Sequence, residues 1–118
     1  MVVFQSMQIN HHDANGDSVV VTVAGEVMMG PESEKITNLV SDLLRRAKRL
    51  IIFNVADVTK IDSTGIGRFI SSYNQAAAVG GEVRMAGAAG VVFQAFHACR
   101  LDTVFRFYGN VDEACKGL

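Results

Sequence analysis

Two cysteines and three histidines are all that this 118-residue chain offers a metal ion or a redox centre, and neither set is spaced for one. Cys99 and Cys115 form no paired-thiol pattern and read as reduced thiols, Cys99 packed in a helix as a small hydrophobe and Cys115 in the C-terminal tail. His11 and His12 are adjacent, so on a strand they face opposite ways and chelate poorly. His97 falls among mainly apolar neighbours and reads as a surface or core histidine. No metal site and no cofactor are expected.

Other absences exclude whole classes of function. There is no basic run, and the formal net charge is −1, which argues against direct nucleic-acid binding. No apolar segment reaches the length that spans a bilayer. Met1 to Gln8 lacks the basic region, long apolar stretch and cleavage site of a secretory leader, so the expectation is a cytoplasmic protein. Linkers, repeats and low-complexity segments are missing, which makes residues 1–118 one domain. At 49% hydrophobic and 19% charged residues, that domain can bury a core.

The motifs of phosphate and acyl chemistry are missing too. Nothing reads G-x-x-x-x-G-K-[ST]. Gly65-Ile66-Gly67 opens like a dinucleotide fingerprint, but Ile70 stands where the third glycine is needed. No G-x-S-x-G elbow occurs, and a Ser63–His–Asp62 triad has no positive support, since a triad is a spatial relay that adjacent residues seldom make. No catalytic residue is assigned, and the chain does not read as an enzyme.

What is present is an alternation of strand and helix signals. Met1 to Ile9 reads as a first strand, Asp13 to Asp17 as a turn, and Val19 to Val23 as a valine-rich second strand, joined as an antiparallel hairpin. Gly25-Glu26 ends that strand. Pro31 then suits a first helical turn, with Glu32 and Glu34 near the helix start and Ile36, Leu39, Val40, Leu43 and Leu44 as its apolar stripe. Arg45, Arg46, Lys48 and Arg49 read as a solvated helix end. Leu50 to Val55 is apolar enough for a central strand, and Ile66, Phe69, Ile70 and Tyr73 mark a second helix that stops at Gly80-Gly81. Val83 to Ala86, a helix around Val92, Ala95, Phe96 and Cys99, a strand from Val104 to Tyr108 and a short helix from Asn110 to Lys116 complete the order. The fold class is α/β: a mixed sheet of about five strands with about four helices packed against it.

Between the central strand and the second helix lies Lys60-Ile61-Asp62-Ser63-Thr64-Gly65-Ile66-Gly67, where hydroxyls and a carboxylate cluster at the start of a helix. As a strand-to-helix loop it can cap the helix through Asp62, Ser63 or Thr64. One cap suffices, and here three candidates precede two glycines, each of which weakens a helix interior by up to about 1 kcal/mol relative to alanine. Gly65 and Gly67 strip the surface beside Ser63, leaving a hydroxyl on a bare patch that a macromolecule can approach. Without a base, that hydroxyl is a poor nucleophile but a good acceptor of a phosphoryl group delivered by another enzyme.

Gly25-Glu26, the segment Ile61-Asp62-Ser63-Thr64-Gly65-Ile66-Gly67, and Gly80-Gly81-Glu82-Val83 to Ala86-Gly87 together resemble the STAS domain of bacterial anti-anti-sigma factors, over essentially the whole chain. The resemblance implies that Ser63 is the phosphorylation site and that Asp62, Ser63, Thr64, Gly65, Ile66 and Gly67 form the partner-binding loop. It further implies an anti-sigma factor with serine kinase activity as the partner, captured by the unphosphorylated form and released on phosphorylation, and a serine phosphatase that restores the switch. Asn54 replaces the family's usual aspartate, Lys60 stands at a position more often apolar or aromatic, and Thr64 is a second hydroxyl. The alternatives are a STAS module of another assembly, such as a lipid-transport complex or a stress-signalling scaffold, and a small nucleotide-binding protein using the exposed N–H groups of the second helix. A free-standing chain of this length disfavours a transporter tail, and the missing lysine disfavours the nucleotide.

Overall fold

The computed structural model describes residues 7–116. The elements run β1 (Met7–Asp13), β2 (Ser18–Val27), α1 (Glu34–Arg45), β3 (Leu50–Ile61), α2 (Ser63–Ala78), β4 (Glu82–Ala86), α3 (Gly90–Ala98), β5 (Arg106–Tyr108) and α4 (Val111–Ala114). The sheet has the order β1-β2-β3-β4-β5, with β1 antiparallel to β2 and the other neighbours parallel. It is the mixed five-stranded α/β sheet with four helices that the residue pattern predicts.

Alternation along the strands sorts side chains into two layers. Val19, Val21 and Val23 of β2, Ile51 and Phe53 of β3, and Val83 and Met85 of β4 share one core with Ile36, Val40 and Leu43 of α1, Phe69 and Ala76 of α2, and Val92 and Phe96 of α3. Phe53 meets Phe69 edge to face at 5.0 Å, and Phe69 lies 5.8 Å from Phe96, so β3, α2 and α3 are joined through aromatic contacts. On the opposite face Val20, Leu50, Ile52 and Ala86 pack with Ala114 of α4 in a smaller cluster.

Several boundaries differ from the sequence reading. Within the described residues the first strand runs Met7–Asp13 and continues past the expected end at Ile9, while the expected start, residues 1–6, lies outside the described part. Asn10, His11 and His12 are polar, yet they pair with Thr22, Val21 and Val20; an edge strand tolerates exposed polar side chains. The first helix starts at Glu34, after a turn in which the Glu34 N–H donates to the Pro31 carbonyl at 3.2 Å. The last strand is shorter than Val104 to Tyr108: Val104 is exposed and Phe105 is buried in the turn before it. The final helix is likewise shorter than Asn110 to Lys116, with Asn110 capping it through its side-chain oxygen. Cys99 is exposed rather than packed, because it follows the last turn of α3.

The cations after α1 are engaged locally. Arg45 and Arg46 both reach Asp42, at 3.4 and 3.2 Å, Lys48 lies 3.5 Å from Asp13, and Arg49 Nη1 donates to the carbonyls of Leu44 and Lys48. This is a helix C-terminus satisfied by basic side chains.

The largest difference sets up the site. Gly25-Glu26 does not end β2, nor Val55 β3. β3 pairs with β4 only from Leu50 to Asn54, but with β2 as far as Val27 opposite Ile61, through register shifts at Thr22/Ala24 and Gly25/Glu26. Beyond Asn54 the two strands continue together as a ribbon. Bulges of this kind bend a strand pair and re-aim it.

Candidate functional site

Because β3 runs to Ile61 and α2 begins at Ser63, the expected eight-residue loop contracts to one residue, Asp62. Its backbone is extended and its side chain caps the helix. Asp62 Oδ1 accepts from the Gly65 N–H at 2.8 Å, satisfying one of the orphan donors of the first turn. Oδ2 accepts from the Met29 N–H, also at 2.8 Å. The Gly65 bond is the main reason that the Asp62 pKa lies below its ordinary value; the Met29 bond adds to it, and burial opposes both. Of the three possible caps, the carboxylate is therefore the one used.

That arrangement frees the hydroxyls. Ser63 is exposed and Thr64 half-buried, and among the described residues none shares a hydrogen bond with Ser63 Oγ. Ser63 stands at the first helical position, where N–H groups and the helix dipole favour negative charge.

The two glycines have opposite surroundings. Gly65 is buried against the end of β2: a Cβ there would run into the Val27 carbonyl, with the Val27 carbon at 2.9 Å and Ile61 Cγ1 at 3.0 Å. Around Gly67 such a methyl group would meet nothing within 4 Å. The expectation that both glycines only bare the surface is thus corrected at Gly65, which is small so that helix and ribbon can touch. Ile66 is also buried, at 6% exposure. Of the six expected partner-binding residues, Asp62, Ser63, Thr64 and Gly67 reach the surface, and Gly65 and Ile66 face inward.

Residues that sequence reasoning passed over complete the frame. The segment joining β2 to α1 is clamped on α2 at two points. One is the Met29–Asp62 bond. The other is Arg68, whose Nε donates to Ser33 Oγ at 3.0 Å while Nη2 lies 3.8 Å from Glu34 Oε1. Ser33 is buried and donates in turn to the Gly30 carbonyl at 3.1 Å. Lys60 projects from the ribbon toward Glu26 at 3.6 Å, an exposed cross-strand pair of small energetic weight. Asn54 Oδ1 accepts from the Ala56 N–H at 3.2 Å, inside the ribbon. A polar serine or an unremarkable arginine carries no sequence signal for such long-range bonds.

Elsewhere, His97 is an exposed surface histidine, with Nδ1 2.8 Å from Asp102 Oδ2. Among the described residues no cluster of His, Cys, Asp and Glu could hold a metal ion, and no helix is long and apolar enough to cross a membrane.

This geometry, a capped helix N-terminus under a β-ribbon with a bare serine, coincides with a family match: residues 6–114 match the STAS domain. The chain belongs to the STAS domain family. Solved structures agree on the STAS fold. The anti-sigma factor antagonist SpoIIAA in its unphosphorylated form is 20% identical, with 91% of this chain and 92% of that one covered and a TM-score of 0.76. The Bacillus cell fate determinant SpoIIAA in its phosphorylated form is 19% identical, with coverages of 91% and 96% and a TM-score of 0.71. A sulfate transporter family protein from Wolinella succinogenes is 15% identical, with coverages of 83% and 81% and a TM-score of 0.73. No curated protein sequence matches the chain.

Proposed function

We propose that this STAS domain is an anti-anti-sigma factor, a binding protein without catalysis of its own that is switched by phosphorylation of Ser63. The observation that carries the reading is the division of labour at the start of α2. Asp62 holds the helix and Ser63 does not, so the exposed hydroxyl is dispensable for the fold and accessible to a kinase. In the unphosphorylated state the bare surface around Ser63, Thr64 and Gly67 receives an anti-sigma factor that is also a serine kinase. The modified state releases it, a separate serine phosphatase reverses the mark, and the domain works in the cytoplasm without touching nucleic acid itself.

The energetics favour a local switch. A phosphate adds about −1.5 to −2 charge at pH 7. The helix N-terminus tolerates that charge, so the fold persists. A partner covering the patch must instead desolvate a dianion beside the Asp62 carboxylate, and every 1.4 kcal/mol of that penalty weakens binding about tenfold. The test uses a purified anti-sigma-type serine kinase with ATP, phosphopeptide mapping and binding curves. Expected are modification at Ser63, constitutive binding by Ser63→Ala, and binding by Ser63→Asp at least about tenfold weaker with an unchanged circular dichroism spectrum. Modification confined to Thr64, or full affinity of both Ser63→Asp and the phosphoprotein, overturns the proposal.

The resemblance to a sulfate transporter family protein favours a second reading, a STAS module of another assembly. Retention of a transport or scaffold component, and no kinase, by the unphosphorylated protein decides for it.

A further inference from the structure

The segment between β2 and α1 presents a side chain that the phosphorylation switch does not use. Met29 is 79% exposed, the most exposed of the large apolar side chains among the described residues, against 47% for Val79 and 48% for Val91. It is not a loose chain end. Its N–H is bonded to Asp62 Oδ2 at 2.8 Å, and Asp62 directly precedes Ser63. Four residues further on, Ser33 is fixed by Arg68 of α2. The thioether is therefore held out to solvent on a backbone anchored to the cap of the switch helix. The other methionines of the described part contrast with it: Met7 is 7% exposed and Met85 fully buried, and Met28 is half-buried.

We propose that Met29 is an oxidation site, and that its sulfoxide releases the partner that binds around Ser63. The proposal rests on the reading above for its partner, but not for the chemistry. A hydroperoxide is the oxidant. The Met29 sulfur attacks the terminal peroxide oxygen, an S–O bond forms as the O–O bond breaks, and with hydrogen peroxide the other oxygen leaves as water; sulfur loses two electrons and the peroxide gains them. A methionine sulfoxide reductase, drawing on thiol reductant, reverses the step. Oxidation turns a flexible apolar side chain into a strongly polar one. On a segment whose backbone is bonded to the Asp62 carboxylate, this puts an unpaired S=O dipole where a covering partner would have to desolvate it, which is unfavourable.

The experiment treats the full chain with graded hydrogen peroxide, quenches, and adds a thiol reductant, which restores reversibly oxidised Cys99 and leaves sulfoxide in place. Peptide mapping by mass spectrometry then follows each methionine, and binding is measured with the same anti-sigma-type serine kinase. Met29 should oxidise ahead of Met7, Met28 and Met85, and affinity should fall about tenfold in step with Met29 conversion. The affinity of Met29→Leu, whatever its starting value, should not change on peroxide treatment, and Met29→Gln should bind more weakly than Met29→Leu without treatment. Earlier oxidation of Met7, Met28 or Met85 overturns the site. Full affinity after complete conversion of Met29 overturns the switch alone. If untreated protein does not bind the kinase, the functional reading and the regulatory half of this proposal both fall, and the mapping result stands by itself.

Discussion

The first turn of α2 has two faces, and they were built under different constraints. The inward face carries Gly65 against the Val27 carbonyl, the buried Ile66, and the Asp62 carboxylate bonded to the N–H groups of Gly65 and Met29. Every group there has a partner within the domain. The outward face carries Ser63, Thr64 and Gly67, and folding gains little from any of them. A glycine in a helix where an added Cβ would meet nothing within 4 Å weakens the helix without any close packing that requires it. A face that lowers stability and fills no space points to a requirement outside the domain. The inward face, by contrast, is explained by the fold alone.

If the two faces differ as argued, Gly65→Ala gives the largest effect. The added methyl group has to displace the Val27 carbonyl or the ribbon that carries it, and backbone cannot step aside as a side-chain tip can. Overpacking costs typically about 1–3 kcal/mol, and the upper end or outright loss of folding is expected here. Thermal and urea melts measure it. A Gly65→Ala protein as stable as wild type breaks the comparison, because the inward face would then be as permissive as the outward one.

Asp62→Ala comes next. Loss of an N-cap costs about 1 kcal/mol, and here the Met29 N–H loses its acceptor as well. The effect is tied to pH through the depressed pKa of Asp62. A carboxyl whose folded-state pKa is lowered contributes stability at pH above its unfolded value, about 4, and loses it as pH falls through the folded one. The gap between wild type and Asp62→Ala should therefore be full at neutral pH and close on acidification below about pH 4. Asp102, lowered by its hydrogen bond to His97, titrates in the same direction in both proteins and cancels in the difference. A gap independent of pH, read from urea melts at each pH, removes the carboxylate from its capping role.

How much of this was legible before any coordinates depends on the range of the interaction involved. The valines of β2, the run from Leu50 to Phe53 and the stripe of α2 are local patterns, and they place the sheet and the second helix correctly. The extension of β3 was illegible: Ala56, Asp57, Thr59 and Lys60 are exposed, and the strand continues there by pairing with β2, as at Asp57 opposite Ala24 and Lys60 opposite Glu26. The capping set was legible, but the second bond of Asp62, to Met29 33 residues away, was not. Gly65 and Gly67 look alike in the sequence. What distinguishes them is the carbonyl of Val27, brought to one of them by the ribbon.

Gly67→Ala is the smallest expected change in the fold and the sharpest probe of the comparison. Its φ lies outside the left-handed region and its surroundings are open, so alanine fits without strain. Replacing glycine in a helix gains up to about 1 kcal/mol through lost chain entropy and better helix propensity, reduced here by fraying at the first turns. The melting temperature should therefore stay constant or rise slightly. The affinity of an anti-sigma-type serine kinase should fall, because the methyl group stands on the patch that the partner must approach. A more stable protein that binds less well separates the two faces in one substitution: the residue costs the domain stability and serves only what docks on it. A folded Gly67→Ala with unchanged affinity places the contact surface elsewhere, and leaves Ser63 as an exposed hydroxyl without a docking patch around it.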